Sequence, residues 1–127
     1  MVRPQIPGPG EIWWLDMYPS AGKEQRGRHA GLVLSAWPFN RATGFAFIAP
    51  ITTVGNASRA NNFAVTLTGA GTRVTGVVQI DQVRSLDWRG RNAERSEDMV
   101  PPAILEEVLE RFAPIFGLGL LEADDEK

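Results

Sequence analysis

The chain has 127 residues, of which 43% are hydrophobic and 22% charged, a composition typical of one globular domain. It has no cysteine and a single histidine, which excludes disulfides and cysteine-based zinc sites, so we expect no metal and no cofactor. The formal charge of −2 disfavours a simple nucleic-acid binder, but the last six residues carry −3 and the remaining 121 carry +1. Because the sequence has neither an apolar signal region nor an apolar run of membrane-spanning length, we expect a cytoplasmic protein without a membrane partner.

The N-terminal half of the chain is predicted to contain three strands. Aromatic and β-branched residues favour a strand over Glu11–Met17, and a continuous apolar run predicts a second, fully buried strand over Gly31–Trp37. Residues 38–44 are predicted to form a turn, because Asn and Gly punctuate them. A third strand is predicted over Phe45–Ile51, and Pro50 is expected to take it out of the ladder near its end.

The next part of the chain alternates short strands with polar loops. Thr52–Asn62 is predicted to be a long polar loop, and Phe63–Leu67 alternates as a half-buried strand does. Residues 76–88 supply one or two further strands. Residues 89–99 are rich in charged and polar side chains and are predicted to form a loop.

One helix is predicted, near the C-terminus. Apolar residues recur at helical spacing over Pro101–Phe116, with Asp98 as the expected cap and Pro114 shortening the last turn. Five or six short strands followed by one helix predict a mainly β fold, a small curved β-barrel with a C-terminal helix packed against it. We expect residues 1–117 to form this single domain, followed by a short acidic tail at 118–127.

The side chains able to do chemistry lie in the loops after the first and third strands and at the end of a later strand. Loops at one rim of a small barrel can converge on one site. No Gly-rich phosphate loop, serine-hydrolase elbow or His-Glu-x-x-His motif is present. The candidates are Lys23, Glu24, Arg26, Arg28, His29, Thr52, Thr53, Gln79 and Asp81.

These residue types suit metal-free cleavage of RNA, in which the substrate's own 2′-hydroxyl is the nucleophile. The protein then supplies a base for the 2′-hydroxyl, a cation for the charge on phosphorus and an acid for the leaving 5′-oxygen. A carboxylate together with Arg28 and His29 provides this set. The competing interpretation, a solvated surface loop, remains open at this point.

Four stretches of the sequence carry recognisable motifs: GEIWWLDMYPSAGKEQRG, LVLSAWPFNRATG, APITTVGNASRANNFAVTL and TGVVQIDQVRSLDWRGR. In combination they resemble the MazF/PemK/Kid (ChpB-like) family of toxin endoribonucleases of type II toxin–antitoxin systems, from Gly10 to about Phe116. The resemblance implies an SH3-like barrel of the CcdB/PemK/MazF type, acting as a homodimer. It also implies growth arrest through sequence-specific cleavage of single-stranded mRNA, leaving a 2′,3′-cyclic phosphate and a 5′-hydroxyl.

The resemblance also implies a protein partner, an antitoxin of the PemI/MazE/Kis kind that is encoded beside the toxin. We expect an acidic, partly disordered antitoxin segment to occupy the basic loops and block RNA. DNA is expected to be contacted only through the antitoxin. The expected antitoxin contacts are Arg28, Arg84, Arg89 and Arg91.

Family roles carry over to several individual positions. Thr52 falls on the catalytic threonine of the MazF branch, and Asp81 falls on the acid that the Kid branch uses as its base. Glu24, Gln25 and Gly27 also fall on family positions. The residues expected to bind RNA are Lys23, Gln25, Arg26, Thr53, Asn56, Arg59, Gln79, Arg84 and Arg89.

Three positions depart from the family pattern. The catalytic arginine of the family stands in an Arg-Pro dipeptide that opens the second strand, where this chain has His29-Ala30. Lys23 and Gln79 replace a histidine and an arginine of the Kid branch. We therefore expect His29, with Arg28, to serve as acid and phosphate cation, Thr52 to orient the phosphate, and Glu24 or Asp81 to act as base.

Two alternative functions follow from these departures and from the fold. A family member that has lost cleavage would keep the barrel as a binding module for its antitoxin. A CcdB-like gyrase poison is the weaker alternative, because only the shared fold supports it.

Overall fold

The structure, a computed structural model, describes residues 5–17, 28–52 and 63–117. Neither α-helix in these segments is long and apolar enough to cross a membrane. The strands are β1 (Glu11–Leu15), β2 (His29–Val33), β3 (Phe45–Thr52), β4 (Ala64–Thr66), β5 (Val77–Gln79), β6 (Arg84–Asp87) and β7 (Glu94–Met99). The helices are α1 (Trp37–Thr43) and α2 (Pro102–Phe112), and single 3₁₀ turns cover Ile80–Gln82 and Ala113–Phe116.

The strands form an antiparallel sheet in the order β4-β5-β3-β2-β1-β7, and β6 pairs with β3 beside this path. The long strand β3 changes its partner along its length. Its residues from Phe45 to Ile48 pair with β6, whereas Ile51 and Thr52 pair with β5. Pro50 lies at this change, where its missing N–H interrupts neither of these two ladders. The prediction that the strand leaves the sheet at Pro50 is therefore wrong.

Each face of the sheet covers its own hydrophobic core. Neighbouring residues along a strand point to opposite sides, so they contribute to different cores. One face packs its side chains against α2 and the β4–β5 hairpin, and the other packs against β6 and the residues after it. The first core includes Ile12, Leu32, Ala49, Val78 and Val108, and the second includes Trp13, Leu15, Ile48, Leu86 and Trp88. The predicted mainly β fold with one C-terminal helix is confirmed.

The second strand and the turn after it differ from the prediction. Strand β2 begins at His29 and ends at Val33, so it starts two residues earlier and ends four residues earlier than expected. The residues predicted to form a turn are the helix α1. A proline in its first turn and Gly44 in the left-handed region, with φ of 77°, suit the two ends of a short helix.

The charged residues predicted to form a loop contain the edge strand β7, which pairs with β1. An edge strand is solvated along one side and often carries charge, so its sequence lacks the apolar alternation that reveals a buried strand. Asp98 does not cap α2, whose first residue follows Pro101 without a side-chain cap. Its carboxylate instead accepts hydrogen bonds from the backbone N–H groups of Arg73 and Val74, at 2.9 and 2.8 Å.

The end of the C-terminal helix agrees with the prediction. Helix α2 stops at Phe112, and Ala113–Phe116 continues as a 3₁₀ turn that ends at Gly117. Pro114 lacks the N–H that a further helical turn requires, so the helix is shortened there.

Candidate active site at the ends of strands β2 and β3

His29 and Thr52 lie at neighbouring strand ends. Strands β2 and β3 pair Val33 with Ile48 and Gly31 with Pro50, and the same register, continued to the strand ends, sets His29 opposite Thr52. Residues opposite each other in an antiparallel pair project to the same face. Both side chains are half-buried. The structure therefore brings together the two site residues that sequence placed 23 positions apart.

Among the described residues, the cross-strand neighbours of this pair on β1 and β5 are apolar. His29 is registered against Leu15 of β1, whose side chain is fully buried, and Thr52 is registered against Val77 of β5. The Nδ1 atom of His29 is shielded from solvent. Such surroundings strengthen a hydrogen bond or a charge interaction relative to bulk water.

Arg28 points to the other face of the sheet. Its Nη1 atom lies 2.6 Å from Oε1 of Glu94 on β7, and the arginine side chain is 39% exposed. Trp14 is the cross-strand neighbour of both Ala30 and Glu94, so the Arg28–Glu94 pair lies on the Trp14 face. The one-residue offset between Arg28 and His29 thus places these two predicted site residues on opposite faces of the sheet.

Gln79 ends the strand that pairs with Thr52, and Asp81 lies in the turn that follows this strand. Gln79 is the last residue of β5, is half-buried and is registered against Ala64. Asp81 follows two residues later in an exposed 3₁₀ turn. Because β5 runs antiparallel to β3 and pairs Val77 with Thr52, Gln79 lies opposite Pro50 in the continued register, and Asp81 lies further from the end of β3.

Two arginines bind the end of β1. Arg84 donates to the carbonyl oxygen of Met17, and Nη1 of Arg91 lies 3.1 Å from the Asp16 carbonyl and 3.2 Å from that of Met17. The guanidinium of Arg84 is therefore engaged in holding the fold. Arg89 instead exposes its guanidinium, which lies 4.8 Å from the ring centre of Trp88.

Residues 8–116 match the model of the family described as PemK-like, MazF-like toxin of type II toxin–antitoxin system. The chain belongs to this family. It is 43% identical to Endoribonuclease PemK of Escherichia coli over 106 residues, which are 84% of this chain and 79% of that protein. It is 36% identical to Endoribonuclease toxin MazF of Escherichia coli strain K12 over 101 residues, covering 80% and 86% of the two chains.

Solved structures show the same fold. The MazF crystal structure from Deinococcus radiodurans superposes with a TM-score of 0.76 at 38% identity, covering 91% of this chain and all of that chain. A MazE–MazF complex from the same organism superposes with a TM-score of 0.75 at 34% identity and the same coverage. The expected barrel of the PemK/MazF type is thereby confirmed.

Part of the site expected for a PemK/MazF toxin lies outside the described residues, so its geometry stays a prediction. Within the described segments, no three His, Asp or Glu side chains are grouped so that they could hold a metal ion. The site predictions outside those segments are Lys23, Glu24, Gln25, Arg26, Thr53, Asn56 and Arg59.

The partner of Arg28 was missed by the reasoning from sequence. Glu94 stands 66 residues away, in a stretch predicted to be a loop. No local sequence signal identifies Glu94 as this partner. It lies near the start of β2 only because β7 pairs with β1.

Proposed function

We propose that this chain is the toxin of a type II toxin–antitoxin system and that it cleaves single-stranded RNA at specific sequences. The observation that carries the proposal is the placement of His29 and Thr52 on one face at adjacent strand ends, in a chain of the PemK/MazF family. The names of its relatives, Endoribonuclease PemK and Endoribonuclease toxin MazF, support the reaction class.

The reaction transfers a phosphoryl group within the RNA and needs no protein nucleophile. A carboxylate, Glu24 or Asp81, takes the proton of the 2′-hydroxyl, and the 2′-oxygen bonds to the adjacent phosphorus. The bond from phosphorus to the 5′-oxygen breaks, and His29 gives a proton to that oxygen. The products are a 2′,3′-cyclic phosphate and a 5′-hydroxyl. Thr52 donates a hydrogen bond to a phosphate oxygen and orients it.

Arg28 is the proposed cation for a phosphate of the RNA outside the cleaved bond, because its side chain projects to the face opposite His29, where Glu94 binds it. Exposed ion pairs of this kind contribute about 0–1 kcal/mol, so an RNA phosphate can compete for the guanidinium. RNA several nucleotides long also needs a groove longer than one small barrel offers. We therefore include a homodimer in the proposal, with RNA bound across both subunits.

The antitoxin is the proposed protein partner. Solved MazE–MazF complexes from Deinococcus radiodurans superpose on this chain with 33–34% identity, which supports an antitoxin of the MazE kind. A carboxylate-rich antitoxin segment would compete with RNA for basic side chains, of which Arg28 and Arg89 are exposed here. The proposed cellular location is the cytoplasm, where mRNA and antitoxin are both available.

One feature favours the alternative of a cleavage-deficient, antitoxin-binding member. The family arginine is replaced by His29, and Arg28 projects to the opposite face rather than beside it. A site without a permanent cation at the phosphate would lose transition-state stabilisation.

Incubation of the purified protein with a long single-stranded RNA, with and without EDTA, tests the proposal. We expect cleavage in both conditions, with 5′-hydroxyl and cyclic phosphate ends. This expectation of metal-independent cleavage rests on the single histidine and the absence of cysteine. Activity lost in EDTA and restored by magnesium would contradict metal-independence. No cleavage in either condition, with cleavage regained by His29→Arg/Ala30→Pro, would establish the cleavage-deficient alternative.

A further inference from the structure

Gly76, the residue directly before β5, lies against the backbone of Thr52. Thr52 is registered against Val77, so Gly76 stands beside the end of β3. A Cβ atom added at Gly76 would overlap the carbonyl oxygen of Thr52 and lie 3.0 Å from its carbonyl carbon. Backbone atoms cannot turn aside as the end of a flexible side chain can. Only glycine therefore allows β5 to approach Thr52 this closely.

The backbone of Gly76 is also in a conformation that residues with a side chain rarely adopt. Its φ is 125°. Two other glycines of the β4–β5 hairpin, Gly69 and Gly71, have positive φ values of 80° and 83°. A Cβ atom at either of them would meet no atom of the described residues within 4 Å. The three glycines thus share the demand on φ, and of the three only Gly76 adds a close approach to Thr52.

The β4–β5 hairpin is anchored around Gly76. The backbone N–H of Leu67, a buried residue, donates to the carbonyl oxygen of Gly76 at 2.9 Å. Val78, two residues after Gly76, is fully buried in the core that faces α2. The carboxylate of Asp98 holds the turn at residues 73–74, just before Gly76. Because the hairpin is fixed in this way, a side chain at position 76 would displace the last residue of β3.

That last residue is Thr52, which lies opposite His29 in the continued register of β2 and β3. The carbonyl carbon of Thr52 is bonded to its Cα atom, so a shift of the carbonyl group also moves the side chain that carries the hydroxyl. Relieving an overlap with backbone atoms takes a movement of about 1 Å, since nonbonded heavy atoms settle about 3.5 Å apart. A misplacement of about 1 Å can lower the rate of a catalysed reaction on the order of 10²-fold.

We infer that Gly76 is a positioning residue for the cleavage reaction. It admits the backbone of β5 against the carbonyl group of Thr52 and thereby fixes the place of the Thr52 hydroxyl in the active site. Asp98 supports this arrangement from β7, because it holds the turn that leads to Gly76. The inference rests on the proposed function, in which Thr52 orients the phosphate. Neither Gly76 nor Asp98 is required to touch the RNA, because each acts through Thr52.

Single-turnover cleavage of a single-stranded RNA by the purified protein tests this inference. We expect Gly76→Ala to lower the maximal rate about 10²-fold and to change the RNA concentration that gives half of this rate by less than about twofold. Gly71→Ala introduces a side chain at a positive φ without the close approach, so it is the matched control and should keep the rate of the parent. Each rate is measured well below the melting temperature of the variant.

A double-mutant cycle with Thr52→Ala separates positioning from a general structural loss. If Gly76 acts through the Thr52 hydroxyl, Gly76→Ala should lower the rate of Thr52→Ala only slightly, so the two effects are not additive. A rate loss of full size in the Thr52→Ala background would overturn the inference. A Thr52→Ala variant as active as the parent would remove the role of Thr52, and the inference with it.

Asp98→Ala decides the question if Gly76→Ala does not fold. It is expected to lower the cleavage rate about three- to tenfold, an effect that should also disappear in the Thr52→Ala background. Glu97→Ala is its control, because the ion pair of Glu97 with Arg73 is exposed. An Asp98→Ala variant with the rate of the parent would then contradict the inference.

The position of Thr52 provides a readout that does not depend on activity. A crystal structure of Gly76→Ala is expected to show Thr52 displaced by about 1 Å relative to His29, with Thr52 unmoved in Gly71→Ala. An undisplaced Thr52, or equal rates for Gly76→Ala and Gly71→Ala, would overturn the inference. A parent protein that does not cleave RNA contradicts only the proposed function, because the position of Thr52 in the variants still decides whether Gly76 sets it.

Discussion

At the scale of single residues, the adjacent side chains of Arg28 and His29 project to opposite faces of the sheet. His29 shares its face with Thr52, whereas Arg28 reaches across β1 to Glu94. Substituting one of these residues cannot move its function to the other, because a neighbouring position in a strand projects away from the site. The two side chains therefore have separable effects, on proton transfer and on RNA binding.

We expect His29→Ala to lower the cleavage rate about 10²–10⁴-fold, the usual contribution of general acid–base catalysis. Single-turnover rates of the parent and the variant provide the measurement. A His29→Ala variant as active as the parent would rule out the catalytic histidine.

We expect Glu94→Gln to tighten RNA binding, because it releases Arg28 from its ion pair. One additional phosphate contact steepens the dependence of log affinity on log salt by about 0.7 for a single strand. Affinity measured by fluorescence anisotropy at several salt concentrations would show this change. The gain should disappear in Glu94→Gln/Arg28→Gln. Glu97→Gln, on the same strand but paired with Arg73, is the control for the removal of one negative charge.

At the scale of elements, β7 contributes more than its polar sequence suggests. It forms one edge of the sheet, supplies the partner of Arg28 and carries Asp98, whose carboxylate holds the turn at residues 73–74. This turn precedes β5, the strand registered against Thr52. The edge strand therefore contacts Arg28 next to β2 and the turn that precedes β5, although none of its residues belongs to the predicted catalytic set.

We expect Asp98→Ala to destabilise the protein by about 1–3 kcal/mol, because two backbone N–H groups lose a charged acceptor. The melting temperature should fall by several degrees in a domain of this size. Glu97→Ala is the neighbouring control, since its ion pair with Arg73 is about 80% exposed on both sides and contributes little. Equal melting temperatures for the two variants would show that the Asp98 contacts are not stabilising.

The strands β1 and β3 and the helix α2 were predictable because their apolar side chains follow the period of the element. Helix α1 was not, because its aromatic side chains face outwards and a polar residue, Asn40, faces inwards. In the site, the nearness of His29 and Thr52 followed from family positions. The ion pair of Arg28 did not, because it depends on a strand pairing between residues that are distant in sequence.

At the scale of the whole molecule, β3 connects two surfaces of different character. Its C-terminal end carries Thr52 and the candidate active site, and its first half carries the exposed aromatic side chains of Phe45 and Phe47. Two cores lie on the two faces of this strand, so neither end can shift without disturbing both.

The pairing of β1 with β7 also sets the time at which the molecule is completed. Trp14 lies opposite Glu94, so β1 pairs with a strand that is synthesised 80 residues later. At about 5–20 residues per second, a ribosome needs roughly 4–16 s to synthesise that interval. During this time β1 presents an unpaired edge, and Arg28 has no Glu94 to bind. The sheet can therefore be completed at this edge only after nearly all of the barrel has been translated.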